Sequence, residues 1–250
     1  MPERHCLILL RHGESAWNAA DRFAGWVDIP LTDMGRTEAH RSGELIRQAG
    51  ALPDVVHTSL LRRAVTTADI ALDAAGRHWI PVHRSWRLNE RHYGDLQGQS
   101  REDVRARFGN ARVKTWRRSY DVAPPAIRPE SAFSQDLDPR YRQLGIDVPP
   151  TESLRDVQIR LLPYWETAIA PDLARGRKVL IVSHGNALRS LIMHLDRMTV
   201  DDIGEITIPT GTPIRYDLDQ ALRPVVPGGT VLEPRSQQVT DMHRDSAPAI

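Results

Sequence analysis

The chain has 250 residues, of which 40% are hydrophobic and 26% charged, and its formal net charge is +1. This length and apolar content suffice to bury a full core, which excludes disorder throughout the chain. The near-neutral charge provides no general attraction to nucleic acid or anionic membranes. We see no secretory leader or membrane-spanning apolar run, and the single cysteine, Cys6, cannot form an internal disulfide. We therefore expect a cytoplasmic protein.

The first notable segment is a short apolar run that ends in a histidine corner. Residues 6–10 are continuously apolar, which is typical of a strand buried on both faces of a parallel sheet. The motif Arg-His-Gly-Glu follows it directly. We expect Gly13 to let a ligand approach the backbone beside His12. Ser15 and Asn18 either donate hydrogen bonds to that ligand or cap a helix.

A second strand and a helix follow. Residues 54–57 predict the strand, and the helix extends from about residue 60 to residue 74. Arg62 and Arg63 fall in its first turn, where the helix dipole favours acidic side chains. A bound anion would explain these arginines, because a helix N-terminus also attracts anions. The alternative is that both arginines are solvated.

The pattern changes between residues 88 and 150. Residues 101–118 predict a polar helix, after which prolines recur. A long, proline-rich insertion in a compact domain is typical of a functional lid or a mobile loop, and we expect a lid over the edge of the sheet. Thr151 or Ser153 then caps a helix that Pro163 is expected to kink.

A second histidine corner lies near residue 184. Residues 179–182 predict a strand, the motif Ser-His-Gly-Asn follows, and a helix extends from residue 187 to about residue 198. Residues 214–218 predict a further strand. The order predicts an α/β three-layer sandwich with a mostly parallel central sheet flanked by helices. Because ligands bind at the carboxyl ends of parallel strands, both histidine corners are expected to meet at one edge.

The domain organisation follows from the same pattern. Residues 1–228 are expected to form a single catalytic domain, with residues 88–150 as its lid. Residues 229–250 are polar and aperiodic, and we expect a flexible tail there.

A histidine at such a corner can be a structural residue, a metal ligand, a general base or a nucleophile. A metal needs three or four converging His, Cys or carboxylate ligands, whereas guanidinium and amide donors surround both corners, so we expect no metal. Arg11, Arg63 and either Arg117 or Arg118 suit a dianionic phosphoryl substrate. Their charge is expected to lower the pKa of His12, which keeps it neutral and nucleophilic near pH 7.

Several motifs in a fixed order carry a resemblance to a known family. They are RHGES at residues 11–15, WN at 17–18, RFAGW at 22–26, TSLLRRA at 58–64, LNERHYG at 88–94, WRRS at 116–119 and SHGNA at 183–187. From about residue 5 to residue 230, the chain resembles the phosphoglycerate mutase branch of the histidine phosphatase superfamily. The LNERHYG motif and the long insertion are similar to those of mutases that depend on 2,3-bisphosphoglycerate. The resemblance implies a phosphoglycerate mutase-like fold.

The resemblance also implies roles for individual residues. His12 would be the nucleophile that is phosphorylated, Glu90 the general acid and base, and His184 the residue that stabilises the transferring phosphoryl group. Arg11 and Arg63 would clamp the same group. Substrate binding is implied for Ser15, Asn18, Ala24, Gly25, Arg91, His92, Tyr93, Arg101, Arg117, Arg118, Gly185 and Asn186.

The implied activity is that of an isomerase in glycolysis and gluconeogenesis. It would interconvert 3-phosphoglycerate and 2-phosphoglycerate by a ping-pong mechanism, with 2,3-bisphosphoglycerate as the priming phosphoryl donor and without a metal. The alternative is a phosphatase, or a paralogous mutase acting on a related phosphorylated hydroxy acid. The expected partners are a small phosphorylated substrate and further copies of the chain in a dimer or tetramer, with neither nucleic acid nor a membrane.

Three positions depart from the family pattern. Ala24 replaces a threonine, which removes a hydroxyl contact worth about 0.5–1.5 kcal/mol. Arg101 replaces a lysine, although arginine is longer, planar and forked. Asp21 replaces an asparagine and adds negative charge beside the first corner. These differences leave open a change in substrate choice or a leak toward phosphatase activity.

Overall fold

The computed structural model describes residues 4–233, in which a six-stranded sheet forms the centre. The strands are β1 (His5–Arg11), β2 (Val55–Thr58), β3 (Val82–Arg84), β4 (Val179–Ser183), β5 (Pro213–Leu218) and β6 (Thr230–Val231). Their order across the sheet is β3-β2-β4-β1-β5-β6. The first four in this order are parallel, whereas β5 is antiparallel to β1 and β6 is antiparallel to β5. The predicted mostly parallel sheet is confirmed.

The helices lie on both faces of this sheet. They are α1 (Ala16–Ala19), α2 (Asp33–Gln48), α3 (Arg62–Ala74), α4 (Arg101–Phe108), α5 (Asn110–Arg118), α6 (Pro139–Arg142), α7 (Leu154–Tyr164), α8 (Ala170–Ala174) and α9 (Gly185–Asp196). Short 3₁₀ turns occupy Trp86–Leu88, Gly94–Leu96 and Asp202–Gly204.

The two faces of β1 explain the three layers. Leu7 and Leu9 point into one apolar cluster, which is completed by side chains of α7 and α9. Ile8 and Leu10 point into a second cluster on the opposite face, with side chains of α2 and α3. Successive side chains of a strand alternate between faces, so a continuous apolar run is what a sheet covered on both sides requires.

The structure refines two of the predicted helices. Gly109, with φ +79°, divides the predicted helix over residues 101–118 into α4 and α5. Ser153, rather than Thr151, caps α7, and its hydroxyl accepts a hydrogen bond from the backbone of Asp156. After Pro163 the helix widens into a π turn at Trp165–Ile169.

Aromatic side chains anchor the insertion to the rest of the fold. Tyr141 is fully buried, lies 4.8 Å from Trp26 between ring centres, and accepts a hydrogen bond from Asn89. Phe133 packs edge-on against Trp17 at 5.4 Å. The insertion is therefore packed against the segment that follows the first corner.

Two of the remaining expectations concern membranes and the C-terminus. Within residues 4–233, none of the helices combines the length and apolar character that crossing a membrane requires. In the segment predicted as a tail, Thr230 and Val231 pair with β5 as strand β6. Residues 234–250 of that segment lie outside the described part of the chain.

Candidate active site

The two histidine corners meet at the carboxyl ends of β1 and β4. These neighbouring parallel strands place Arg11 opposite Ser183, and the backbone of His12 donates to the carbonyl of Ser183 at 2.9 Å. The rings of His12 and His184 lie 5.0 Å apart between centres and meet edge to face. Sequence reasoning predicted this convergence of residues that are 172 positions apart.

The environment of His12 fixes both its tautomer and its charge. Its Nδ1 lies 2.6 Å from the carbonyl oxygen of Gly13, and because a carbonyl only accepts, Nδ1 carries the proton. The lone pair is then on Nε2, which accepts a hydrogen bond from Nε of Arg63 at 3.3 Å. Burial, and then the charges of Arg63 and Arg11, lower the pKa of His12 well below its usual value. His12 is thus a neutral imidazole whose unprotonated Nε2 carries the lone pair that a nucleophile needs.

Gly13 has a different role from the predicted one. A Cβ at this position would overlap the carbonyl oxygen of Gly35 in the first turn of α2. Gly13 also lies outside the cavity wall. The glycine is therefore required for close packing of α2 against the corner rather than for approach of a ligand.

Arg63 is a buried cation that links three parts of the site. It lies in the first turn of α3, as predicted, and it is 1% exposed. Besides His12, it donates to the carbonyls of Val27 and Gly25 at 2.9 and 2.8 Å. Burial lowers its pKa to about 10, so it remains charged at neutral pH. Arg62, by contrast, is exposed.

Glu90 presents a carboxylate to the same space. Its Oε1 accepts from the backbone of Arg91 at 2.8 Å and from the backbone and side-chain nitrogens of Asn186 at 3.1 and 3.0 Å. Among residues 4–233, the hydrogen bonds to the Glu90 carboxylate go to Oε1, so Oε2 is available to another partner. The carboxylate is therefore held in place by one oxygen, while the other is available for proton transfer.

A cavity of about 120 Å³ opens between the corners. Thirteen of the predicted site residues line it: Arg11, His12, Asn18, Ala24, Gly25, Arg63, Glu90, Tyr93, Arg101, Arg117, Arg118, Gly185 and Asn186. Sequence reasoning missed six further lining residues: Arg22, Phe23, Arg189, Ile206, Thr207 and Ile208. Seven arginines and one carboxylate thus face the cavity, which suits a ligand with more than one negative charge.

Four predicted site residues lie behind the wall of this cavity. The hydroxyl of Ser15 caps α1, so the capping alternative is the observed one. Arg91 is fully buried and donates to the carbonyl of Trp116, and His92 contacts Gln135. These three side chains therefore do not line the cavity, and their contact with a ligand stays a prediction.

His184 also lies behind the wall, next to His12. Its Nε2 is 2.8 Å from the hydroxyl of Ser59, and its buried Nδ1 has no hydrogen-bond partner among residues 4–233. Burial lowers its pKa well below the usual value, with a further contribution from Arg63. A neutral His184 can donate one hydrogen bond beside the ring of His12.

Arg189 is the most informative of the residues that the sequence analysis missed. It lies one turn after Asn186 on α9, and its Nη1 donates to the Oδ1 of Asn186 at 3.2 Å. Its Nη2 donates to the carbonyl of Ile203 at 2.6 Å. Burial lowers its pKa to about 10. The sequence did contain a signal for Arg189, because this residue falls on the helix that follows the second histidine corner.

The three departures from the family pattern lie close together. Ala24 and Arg101 line the cavity, whereas Asp21 lies beside it and forms an ion pair with Arg101. The negative charge of Asp21 is therefore paired with a cation of the cavity wall. The methyl group of Ala24 leaves that part of the wall without a hydroxyl.

The part of the chain that the structure describes contains no cluster of side chains suited to a metal ion. Among residues 4–233, no three His, Cys, Asp or Glu side chains cluster so that they could hold a metal ion. The donors around the cavity are guanidinium groups, imidazoles and amides, which suit an anion.

The sequence matches the profile of the histidine phosphatase superfamily, branch 1, over residues 7–143 and 130–222. The chain belongs to this superfamily. Relatives named 2,3-bisphosphoglycerate-dependent phosphoglycerate mutase are similar to this chain over most of their length. The protein from Rhodococcus opacus (strain B4) is 57% identical over 92% of this chain and 91% of its own. That from Mycobacterium leprae (strain TN) is 60% identical over 92% and 93%.

Solved structures of the superfamily confirm the fold. The structure described as mycobacterial hydrolase 1 has a TM-score of 0.69 and 26% identity, and covers 88% of this chain and 95% of its own. A mycobacterial glucosyl-3-phosphoglycerate phosphatase in complex with VO₃ has a TM-score of 0.68, 25% identity and the same coverage. The predicted α/β phosphoglycerate mutase-like fold is therefore correct.

Proposed function

We propose that the chain is a 2,3-bisphosphoglycerate-dependent phosphoglycerate mutase, which interconverts 3-phosphoglycerate and 2-phosphoglycerate in glycolysis and gluconeogenesis. Identity of 57–60% over nine-tenths of the chain to relatives of that name supports this activity over the alternatives. The geometry that carries the proposal is the unprotonated Nε2 of His12, with Arg63 hydrogen-bonded to it and Glu90 lining the same cavity.

His12 is the proposed nucleophile. Its Nε2 forms a bond to phosphorus of 2,3-bisphosphoglycerate while the bond from phosphorus to the hydroxyl oxygen breaks, and Glu90 gives that oxygen its proton. In the second half of the cycle Glu90 takes the proton from the free hydroxyl of 3-phosphoglycerate. That oxygen then displaces Nε2 from phosphorus, which forms 2,3-bisphosphoglycerate in the site. The phosphoryl group on its other hydroxyl oxygen then returns to Nε2 of His12, and 2-phosphoglycerate is released.

Arginines supply the charge that the transferred group requires. In-line transfer of a phosphoryl group is catalysed mainly by positioning and by cationic donors around its outer oxygens. We propose that Arg11, Arg63 and His184 make these contacts. We further propose that Asn18, Gly25, Tyr93, Arg101, Arg117, Arg118, Gly185 and Asn186 hold the rest of the substrate. Because the arginines provide the positive charge, no metal is required in the proposed cycle.

The insertion over residues 88–150 is the proposed lid. It provides Glu90 and Tyr93 at its start and Arg117 and Arg118 in its middle, so its position determines whether the site is complete. Exclusion of water would protect the phosphohistidine from hydrolysis. Residues 1–228 are proposed to act as one catalytic domain, in the cytoplasm and within a dimer or tetramer.

A phosphatase is the alternative, because the same phosphohistidine with water as acceptor gives hydrolysis. The similarity to glucosyl-3-phosphoglycerate phosphatase structures makes this a specific alternative. Phosphorus NMR of the protein with 3-phosphoglycerate and a trace of 2,3-bisphosphoglycerate separates the two. We expect rapid formation of 2-phosphoglycerate, dependent on the priming compound, with little free phosphate. Free phosphate as the main product would instead indicate a phosphatase.

A further inference from the structure

The pair Asp21–Arg101 connects the outside of the cavity with its wall. Nη1 of Arg101 donates to Oδ1 of Asp21, and the backbone of Arg101 donates to the carbonyl of Asp21 at 2.9 Å. One side of Arg101 lies on the cavity, while Asp21 lies outside its wall. The Asp21 carboxylate therefore contacts Nη1 of Arg101, which leaves the other donors of the guanidinium for a ligand.

The backbone around Asp21 makes this geometry rigid. Asp21 has φ +48°, a left-handed conformation that aspartate and asparagine tolerate better than most residues. The neighbouring segment is fastened to residues 98–101 by hydrogen bonds from Phe23 to the carbonyl of Gln99 and from Nη1 of Arg22 to the carbonyl of Gly98. The backbone position of Asp21 beside Arg101 is thus determined by the fold.

Arg101 lines the cavity but is not a partner of the nucleophile. The ring nitrogens of His12 contact Gly13 and Arg63, whereas the guanidinium of Arg101 lies 5.8 Å from the ring centre of Phe23, which also lines the cavity. This position suits a second anionic group of a ligand whose phosphoryl group lies at His12.

We propose that Asp21 is a positioning residue that holds Arg101 in the orientation needed for this second anionic group. The proposal rests on the proposed function, in which 3-phosphoglycerate supplies a carboxylate as well as a phosphate. A free arginine loses rotamer freedom when a ligand immobilises it, and an arginine already held by Asp21 loses less. Removal of the Asp21 carboxylate also removes a negative charge, which by itself strengthens binding of an anion. The effect on positioning and the effect of charge therefore need separate variants.

The test is a double-mutant cycle on binding of 3-phosphoglycerate to the unprimed protein, measured by isothermal titration calorimetry. Asp21→Asn keeps the size of the side chain and tolerates the left-handed backbone. We expect it to weaken binding about three- to tenfold. In the Arg101→Met background the same change should cause no further weakening. Glu102→Gln removes the same charge from an exposed neighbour of Arg101 and should change binding less than about twofold.

Steady-state kinetics separate a failure of this positioning role from a failure of the proposed mutase activity. In the primed mutase assay Asp21→Asn should raise KM by a similar factor and change kcat less than about twofold, because Arg101 does not touch the reacting nitrogen. Unchanged or tighter binding by Asp21→Asn would overturn the positioning role, as would equal weakening in the Arg101→Met background. A wild-type protein that makes no 2-phosphoglycerate would refute the proposed function and leave the binding result valid.

Discussion

The buried ion pair between Arg160 and Glu152 lies outside the cavity but holds the Glu90 segment in place. Their side chains are 6% and 3% exposed, and Nε of Arg160 donates to Oε1 of Glu152 at 2.6 Å. Nη2 of Arg160 also donates to the carbonyls of Asn89 and Glu90, each at 3.0 Å. We predict that Glu152→Gln lowers both stability and catalysis.

The size of the effect follows from what remains around Arg160. Removal of one partner of a buried ion pair costs about 3–5 kcal/mol, because the other charge stays buried without compensation. The carbonyls of Arg87, Asn89 and Glu90 still accept from the guanidinium, and glutamine retains an acceptor oxygen. We therefore expect a loss near the lower end, about 3 kcal/mol. For a chain of this length that lowers the melting temperature by roughly 6–12 °C.

Thermal unfolding followed by circular dichroism, together with steady-state kinetics below the transition, tests this prediction. We expect kcat to fall about ten- to hundredfold, since small displacements of a catalytic group are costly. Arg128→Met is the matched control, because it removes an exposed pair with Asp95 and should cost at most about 1 kcal/mol. Equal melting temperatures for the two variants would refute the reasoning about burial. Normal kcat in a destabilised Glu152→Gln protein would refute the link to Glu90.

Other predictions concern two glycines and the pH dependence of stability. Gly185→Ala should fold normally, because its methyl would lie 3.6 Å from the nearest side-chain atom. The methyl would fill cavity space, so we expect KM to rise about tenfold. An unchanged KM would contradict this. Gly13→Ala should lower the melting temperature far more than Gly185→Ala, because its methyl overlaps the Gly35 carbonyl. Burial lowers the pKa of His57 to about 4, and His12 is shifted in the same direction. Unfolded histidines bind protons near pH 6.5, so the free energy of unfolding should fall as pH drops from 6.5 toward 4; urea titrations that give a constant value would contradict this.

The central strands could be predicted because their sequences have one physical explanation. The apolar runs of β1 and β4 contain no polar face, and such runs are buried on both sides. Strand β3 was missed, since it has only three residues and lies at the edge of the sheet. Helix α2 was missed because small residues such as Gly35, Ala39 and Gly43 form much of its buried face, so its apolar periodicity is weak.

The site could be predicted where its residues lie at strand ends. His12 and His184 follow β1 and β4 directly, and parallel strands bring such positions together. Side-chain direction within short loops was not predictable. Arg91 and His92 belong to the same motif as Glu90 and Tyr93, yet they point into the protein while the other two line the cavity.

Arginines with structural roles were equally hard to recognise. The chain contains 33 lysines and arginines, so one more arginine on a helix gives no signal by itself. Arg160 on α7 is identified as a support for Glu90 only by its contacts with residues about 70 positions away. The ion pair of Asp21 with Arg101 likewise joins residues 80 positions apart. Such pairs depend on the tertiary fold.

Phosphorylation of His12 is the most direct test of the central claim. The protein is incubated with 2,3-bisphosphoglycerate, and the acid-labile phosphate is located by mass spectrometry at neutral or alkaline pH, with His12→Asn as the control. We predict phosphate on Nε2 of His12, its loss on addition of 3-phosphoglycerate, and none in the control. Phosphate on another residue, or a wild-type protein that stays unphosphorylated while turning over substrate, would contradict the proposed mechanism.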